Sequence, residues 1–152
     1  MEVRVDRPTP TPEWPPGVTV RATDLDADAR AVHALLELAF RGSPDEEKPN
    51  DAWLSWWTGD PEFDPSVWFL AEEDGALVGV ALCWSSGFLK DLAVHPSQRR
   101  RGIGRALLLH VFDEFRSRGA PTVSLKVDAA NPTGAVRLYE AAGMRVVERL
   151  VV

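Results

Sequence analysis

The sequence predicts a mixed α/β domain, a largely antiparallel sheet flanked by helices, with elements in the order β-α-α-β-β-β-α-β-α-β. Three observations carry this. Asp74-Gly75 lies between two strand-like runs, 67–72 and 76–84, and is a two-residue hairpin signal because both positions accept positive φ. Ile103, Leu107, Val111 and Phe115 recur at helical spacing over 102–118, a stretch ended by Gly119 and Pro121. Between them, residues 94–105 read as the end of a strand, a basic turn with Gly102 and Gly104, and a helix start.

The elements follow in order. Residues 1–17 carry Pro8, Pro10, Pro12, Pro15 and Pro16, a density that favours an extended polyproline arm and leaves only Val3, Val5 and Trp14 to bury. The domain proper is then expected over 18–152. Val18-Thr19-Val20-Arg21 alternates as a first strand. A helix follows, capped by Asp24 or Asp26, with Leu25, Ala29, Val32, Leu36 and Phe40 on its apolar stripe. A polar loop over 42–50 leads to a second short helix through Trp53, Leu54, Trp56 and Trp57, closed by Gly59-Asp60-Pro61. The hairpin comes next. Ser85-Ser86-Gly87 then turns the chain into a third antiparallel strand, 88–94. After the long helix, 122–127 is a strand, and Asn131-Pro132 starts a helix with Ala135, Leu138, Tyr139 and Ala142 inward and Gly143 at its end. Residues 144–152 form a final strand, from which pairing into a homodimer is conceivable.

Composition narrows the function classes. With 45% hydrophobic residues and 26% charged, the chain can build a core, and its net charge of −6 opposes general nucleic-acid binding, so the Arg99–Arg101 run is a local patch. Cys83 is the only cysteine, which excludes an intramolecular disulfide or a cysteine-based metal centre; no metal is expected. His33, His95 and His110 share no ligand spacing, and His95-Pro96 reads as turn chemistry. There is no apolar run of membrane-spanning length and no signal-peptide core after Met1, so a cytoplasmic protein without a membrane partner is expected.

The Gly102-x-Gly104 turn is an anion site in prospect, because glycine backbone and a helix N-terminus both present N–H donors. It is not a P-loop, since no Gly-Lys-Ser or Gly-Lys-Thr occurs. Nor is it a dinucleotide fingerprint: Leu107 stands at the third small position, and the turn follows an antiparallel meander.

Arg99-x-x-Gly102-x-Gly104, entered from Leu92-Ala93-Val94, resembles the acyl-CoA pyrophosphate motif of the GNAT superfamily of N-acetyltransferases. The stretch from Asn131 through Leu138-Tyr139 to Gly143-Met144 resembles that superfamily's second signature, and the element order is GNAT-like. Within the family, the arm and residues 123–131 look most similar to the C-terminal lobe of actinobacterial tandem acetyltransferases such as the mycothiol synthases, which raises the prospect that the chain is one lobe of a longer protein.

The resemblance implies roles. Backbone N–H groups of Arg101, Gly102, Ile103, Gly104 and Arg105 would hold the pyrophosphate of acetyl-CoA, with Arg99 and Arg100 adding charge. The main chain of Leu92, Ala93 and Val94 would pair with the pantetheine arm and polarise the thioester carbonyl. Asn131 would contact pantetheine or cap the last helix. Tyr139, by helical position a packing residue, would protonate the departing thiolate. A base is also required to neutralise the amine. Asp91, Glu72, Glu73 and Glu37 are candidates, and Asp91 is chosen because it lies on the strand entering the turn, on the face of Ala93. Trp56 and Trp57 could wall an acceptor pocket, with Asp45, Glu46 and Glu47 attracting a cation, although aromatics here also serve as core. Gly79 and Ala81 suggest room for an acyl chain. The expected activity is acetyl transfer from acetyl-CoA to a small-molecule primary amine. The rivals are a non-catalytic acyl-CoA sensor or scaffold and a protein N-terminal or lysine acetyltransferase.

Overall fold

A computed structural model describes residues 2–5, 9–40, 50–99, 101–125 and 135–145. Among the described residues the sheet has six strands in the spatial order β1-β6-β5-β4-β3-β2, where β1 is Glu2–Arg4, β2 Val18–Ala22, β3 Trp68–Glu73, β4 Ala76–Cys83, β5 Phe88–Val94 and β6 Thr122–Leu125. All neighbouring pairs are antiparallel except β5 and β6, which run parallel through Phe88 and Leu89. The hairpin between β3 and β4 forms at Asp74-Gly75, with φ of 52° and 77°, the doubly positive geometry that a right-twisted pair demands.

Two helical layers cover the sheet. Helix α3 (Ile103–Ser117) buries Ile103, Leu107, Val111 and Phe115 against one face, with Val78, Ala81 and Cys83 of β4 beneath it. Helices α1 (Leu25–Ala39) and α2 (Asn50–Thr58) cover the other face, where Val32, Leu36, Trp53 and Trp57 meet Trp68, Leu70, Val80 and Leu82. Since both faces are covered, β4 is buried without interruption from Val78 to Cys83. Helix α4 (Ala135–Ala141) completes the described elements. No helix among them is long and apolar enough to cross a membrane.

Three local features depart from the sequence reading. The arm does not remain apart: Glu2–Arg4 adds to β6 as an edge strand, and Val5 is fully buried with its N–H donating to the Pro121 carbonyl at 2.9 Å. Glu-Val-Arg-Val alternates with period two ahead of the first proline, which is a strand pattern in its own right. Asp24 takes the N-cap position of α1, yet its side chain makes no capping bond; instead the Asp28 carboxylate accepts from the Asp24 N–H at 2.8 Å and from both Arg21 Nη atoms. That Arg21 fork holds the Asp28 carboxyl below the usual range, against the opposing effect of burial. Gly79 and Ala81, finally, are not acyl room. A Cβ at Gly79 would stand 2.9 Å from Leu107 Cδ1 and 3.1 Å from Ile103 Cγ2, so these small residues let α3 sit close on the sheet.

Candidate functional site

The site assembles where β5 ends. The His95 N–H donates to the Val78 carbonyl at 2.8 Å, and its imidazole Nδ1 accepts from the Ser97 N–H at 3.1 Å, starting a single tight turn over Pro96–Gln98. His95 is therefore turn chemistry, as its sequence context suggests. Gly102 adopts φ 85°, ψ 10°, a left-handed conformation that costs a residue with a Cβ roughly 1–2 kcal/mol. This reversal opens α3, whose first intrahelical bond runs from the Ala106 N–H to the Gly102 carbonyl. The N–H groups of Ile103, Gly104 and Arg105 precede that bond and are left for a ligand. No acidic residue lies in the first turn of α3, and Arg101 and Arg105 flank it, so cations gather at the positive end of a helix dipole. That arrangement is unfavourable alone and favourable around an anion.

A cleft of about 360 Å³ lies over this turn, lined by Val94 from β5, Gln98 and Arg99, the α3 start at Gly102–Arg105, and Leu138 from α4. Leu138 is adjacent to Tyr139 in the second signature, and that adjacency is the signal that could have marked it. The arginines divide the work. Arg101 forks onto Glu73, Nη1 to Oε1 at 3.0 Å and Nη2 to Oε2 at 2.8 Å, and also meets Gln98, so its side chain braces the turn against the hairpin. Arg99 Nη2 reaches the Ala39 carbonyl at the C-terminal end of α1, at 3.4 Å. Arg105 stays exposed on the first turn of α3. Arg100 and Asn131 lie outside the described residues, as do Asp45, Glu46, Glu47 and the final strand beyond Arg145.

Among the candidate bases, Glu72 is engaged by Arg21, and Glu73 by Arg101, whose guanidinium holds the Glu73 carboxyl below the usual carboxylate range. Glu37 is exposed beside His33. Asp91 differs from all three. It is 8% exposed, lies opposite Leu82 on the α1/α2 face, and shares that face with Ala93. Tyr139 packs against the core under α3. Burial pushes its hydroxyl pKa up, and the nearby Asp91 carboxylate adds to the shift, so the phenol stays protonated at neutral pH. The fold thus brings Asp91 and Tyr139 into one electrostatic neighbourhood.

Beside Asp91 stands an aromatic cluster. Trp57 is fully buried, tilted against Trp84 at 4.1 Å between centroids and edge-on to Trp68 at 4.8 Å. Trp56 is 47% exposed and edge-on to both Trp57 and Trp84. Of the two tryptophans singled out from the sequence, Trp56 presents a surface and Trp57 supports it from below. Lys90, which the sequence reading passed over, places its Nζ 5.7 Å from the Trp56 ring centroid and 3.3 Å from Asp91 Oδ1. A cation beside a buried-strand aspartate was the available signal.

A mixed sheet with a strand running into a glycine turn, a helix N-terminus and an arginine-flanked cleft has the donors and charge that suit a phosphorylated ligand. The family model described as acetyltransferase (GNAT) matches residues 29–144, and the chain belongs to that family. It is 38% identical to a mycothiol acetyltransferase from Thermobispora bispora over 148 residues, which cover 90% of this chain and 49% of that protein. A Thermomonospora curvata protein of the same name is 36% identical over 91% of this chain and 48% of its own length. The crystal structure of a GCN5-related N-acetyltransferase from Sphaerobacter thermophilus superposes with a TM-score of 0.82 at 38% identity, covering 95% of this chain and 46% of that one. The chain therefore spans about half the length of the curated relatives it matches.

Proposed function

We propose that this chain transfers acetyl from acetyl-CoA to a primary amine, that of a small molecule in preference to a protein. The observation that carries the reading is the Gly102–Arg105 cradle and its cleft, closed on one side by Leu138, the neighbour of Tyr139 on α4. The cradle suits a pyrophosphate: it offers aligned backbone donors, a helix dipole and exposed arginine, with side chains already braced so that little reorganisation is needed on binding. The main chain of Leu92, Ala93 and Val94 runs toward it and would carry the pantetheine arm as an added strand.

In the proposed step, Asp91 takes a proton from the acceptor ammonium and frees its lone pair. The amine nitrogen then attacks the thioester carbonyl, the carbon–sulfur bond breaks, the Tyr139 hydroxyl gives its proton to the thiolate, and the second proton shed by the acylated nitrogen restores the Tyr139 phenol. A phenol held protonated by burial and by a neighbouring carboxylate is suited to that role. Trp56 would flank the acceptor, with Trp57 behind it. That related proteins are named mycothiol acetyltransferases supports a small-molecule acceptor.

The test is free CoA release with a panel of primary amines, alongside direct measurement of acetyl-CoA binding. Tyr139→Phe is expected to lower kcat about 100-fold while leaving acetyl-CoA affinity within about twofold, because the hydroxyl acts only as the thiolate departs. The half-length match to the relatives supports one other reading, an acyl-CoA-binding lobe without turnover. Acetyl-CoA binding with no CoA release for any amine would favour that lobe and overturn the enzyme.

A further inference from the structure

In a regular strand, neighbouring side chains point to opposite faces, so Lys90 and Asp91 should not meet. They meet because the register of β4 and β5 shifts here: Leu82 pairs with Asp91 and Cys83 with Leu89, leaving Lys90 as an extra residue with no counterpart on β4. Such a bulge re-aims a side chain. Lys90 curls to the rim of the α1/α2 face, where its ammonium rests between the Asp91 carboxylate and the Trp56 ring. Trp56 is held for this by its neighbours, edge-on to Trp57 at 5.7 Å and to Trp84 at 5.5 Å, while nearly half its surface remains open to solvent. A carboxylate and a braced indole on either side of an ammonium are the elements of an alkylammonium site.

We infer that Trp56 and Asp91 form a cation subsite for the acceptor, which Lys90 fills from within the chain, so that an alkylammonium group enters by displacing the Lys90 ammonium. The subsite rests on the reading of Asp91 as lying at the acceptor side. Lys90 is then a specificity-determining residue. It keeps the carboxylate paired in the absence of acceptor, and it taxes the binding of every cationic ligand by the fraction of time it occupies the site. Neutral ligands of the same shape gain nothing from the carboxylate or the cation–π contact, so they bind poorly whether or not Lys90 occupies the site.

The experiment uses n-butylammonium chloride as the cation and n-butanol as its neutral match, without acetyl-CoA. Binding is followed in the indole N–H region of the NMR spectrum. The chain has six tryptophans, and a Trp56→Phe variant assigns the Trp56 signal. Lys90→Met keeps the length and loses the charge; it is expected to tighten n-butylammonium binding about three- to tenfold, with the shift at Trp56. n-Butanol affinity stays flat. Lys90→Gln should give the same gain, and unchanged signals from buried Trp53, Trp57 and Trp68 report an intact fold. The inference is overturned if removal of Lys90 leaves n-butylammonium affinity unchanged or weaker, if n-butanol gains equally, or if the gain survives Trp56→Phe with the shift elsewhere. Because the readout needs no turnover, its failure is separable from absent CoA release, which bears on the enzyme reading alone.

Discussion

Replacing Gly79 by alanine probes how α3, and with it the ligand cradle, is set on the sheet. The added methyl would stand 2.9 Å from Leu107 Cδ1, 3.1 Å from Ile103 Cγ2 and 3.3 Å from the Ala93 carbonyl oxygen. Leu107 is fully buried and Ile103 1% exposed, so neither has free space to turn into. Overpacking of this kind costs about 1–3 kcal/mol, and the loss of a glycine from the unfolded chain returns roughly 0.4–1. The net destabilisation is about 1–2 kcal/mol, read as a fall in Tm of roughly 2–8 °C for a chain of this size. Leu107→Ala alone should cost about 2–5 kcal/mol as a cavity. In the double variant the 2.9 Å contact with Leu107 is gone while those with Ile103 and Ala93 remain, so the two costs should fall short of their sum by the Leu107 share of the Gly79→Ala penalty. Because Ile103 opens α3, the single variant should also raise the KM for acetyl-CoA more than it lowers kcat. Strictly additive losses, or a Gly79→Ala protein as stable as the parent, would refute the close approach of α3.

Two further outcomes follow from the same geometry. Glu73→Gln removes the fork that braces Arg101, and acetyl-CoA affinity should drop severalfold with kcat at saturation little changed, as measured by titration. The folded Glu73 carboxyl lies below its unfolded value of about 4.3, so the brace is fully present above that pH and is lost as pH falls through the lower folded value; acetyl-CoA affinity should decline over that acid range in the parent, and the Glu73 contribution to the decline should vanish in the variant. Burial pushes the Cys83 thiol well above its ordinary range, so a thiol reagent should label the native protein slowly, at a rate that follows global unfolding rather than reagent concentration.

Local chemistry is legible along the chain. Asp74-Gly75 makes its turn within four residues, and the stripe from Ile103 to Phe115 needs only its own periodicity, so both are found where the sequence puts them. Gly102 is likewise readable, because a positive φ at a strand-to-helix reversal is a demand on one residue. Long-range pairings are not. Glu73 reads as a candidate base in the sequence, yet Arg101, 28 positions later, forks onto its carboxylate. The Val3 and Val5 alternation is visible, but that it pairs with β6 depends on which edge of the sheet is open. Gly79 reads as room for a ligand and is room for a helix.

By itself, then, the sequence determined the element types, the glycine turn that opens α3 and the two signatures that resemble the family, since each depends on neighbours along the chain. Only the tertiary structure decided which charges meet, which of two adjacent tryptophans is covered, and that a one-residue slip in β5 swings Lys90 over Trp56 beside Asp91. Those outcomes depend on how separate elements pack and register. A bulge or a helix docking distance is set by the sum of many contacts, none of which is written in the residue it moves.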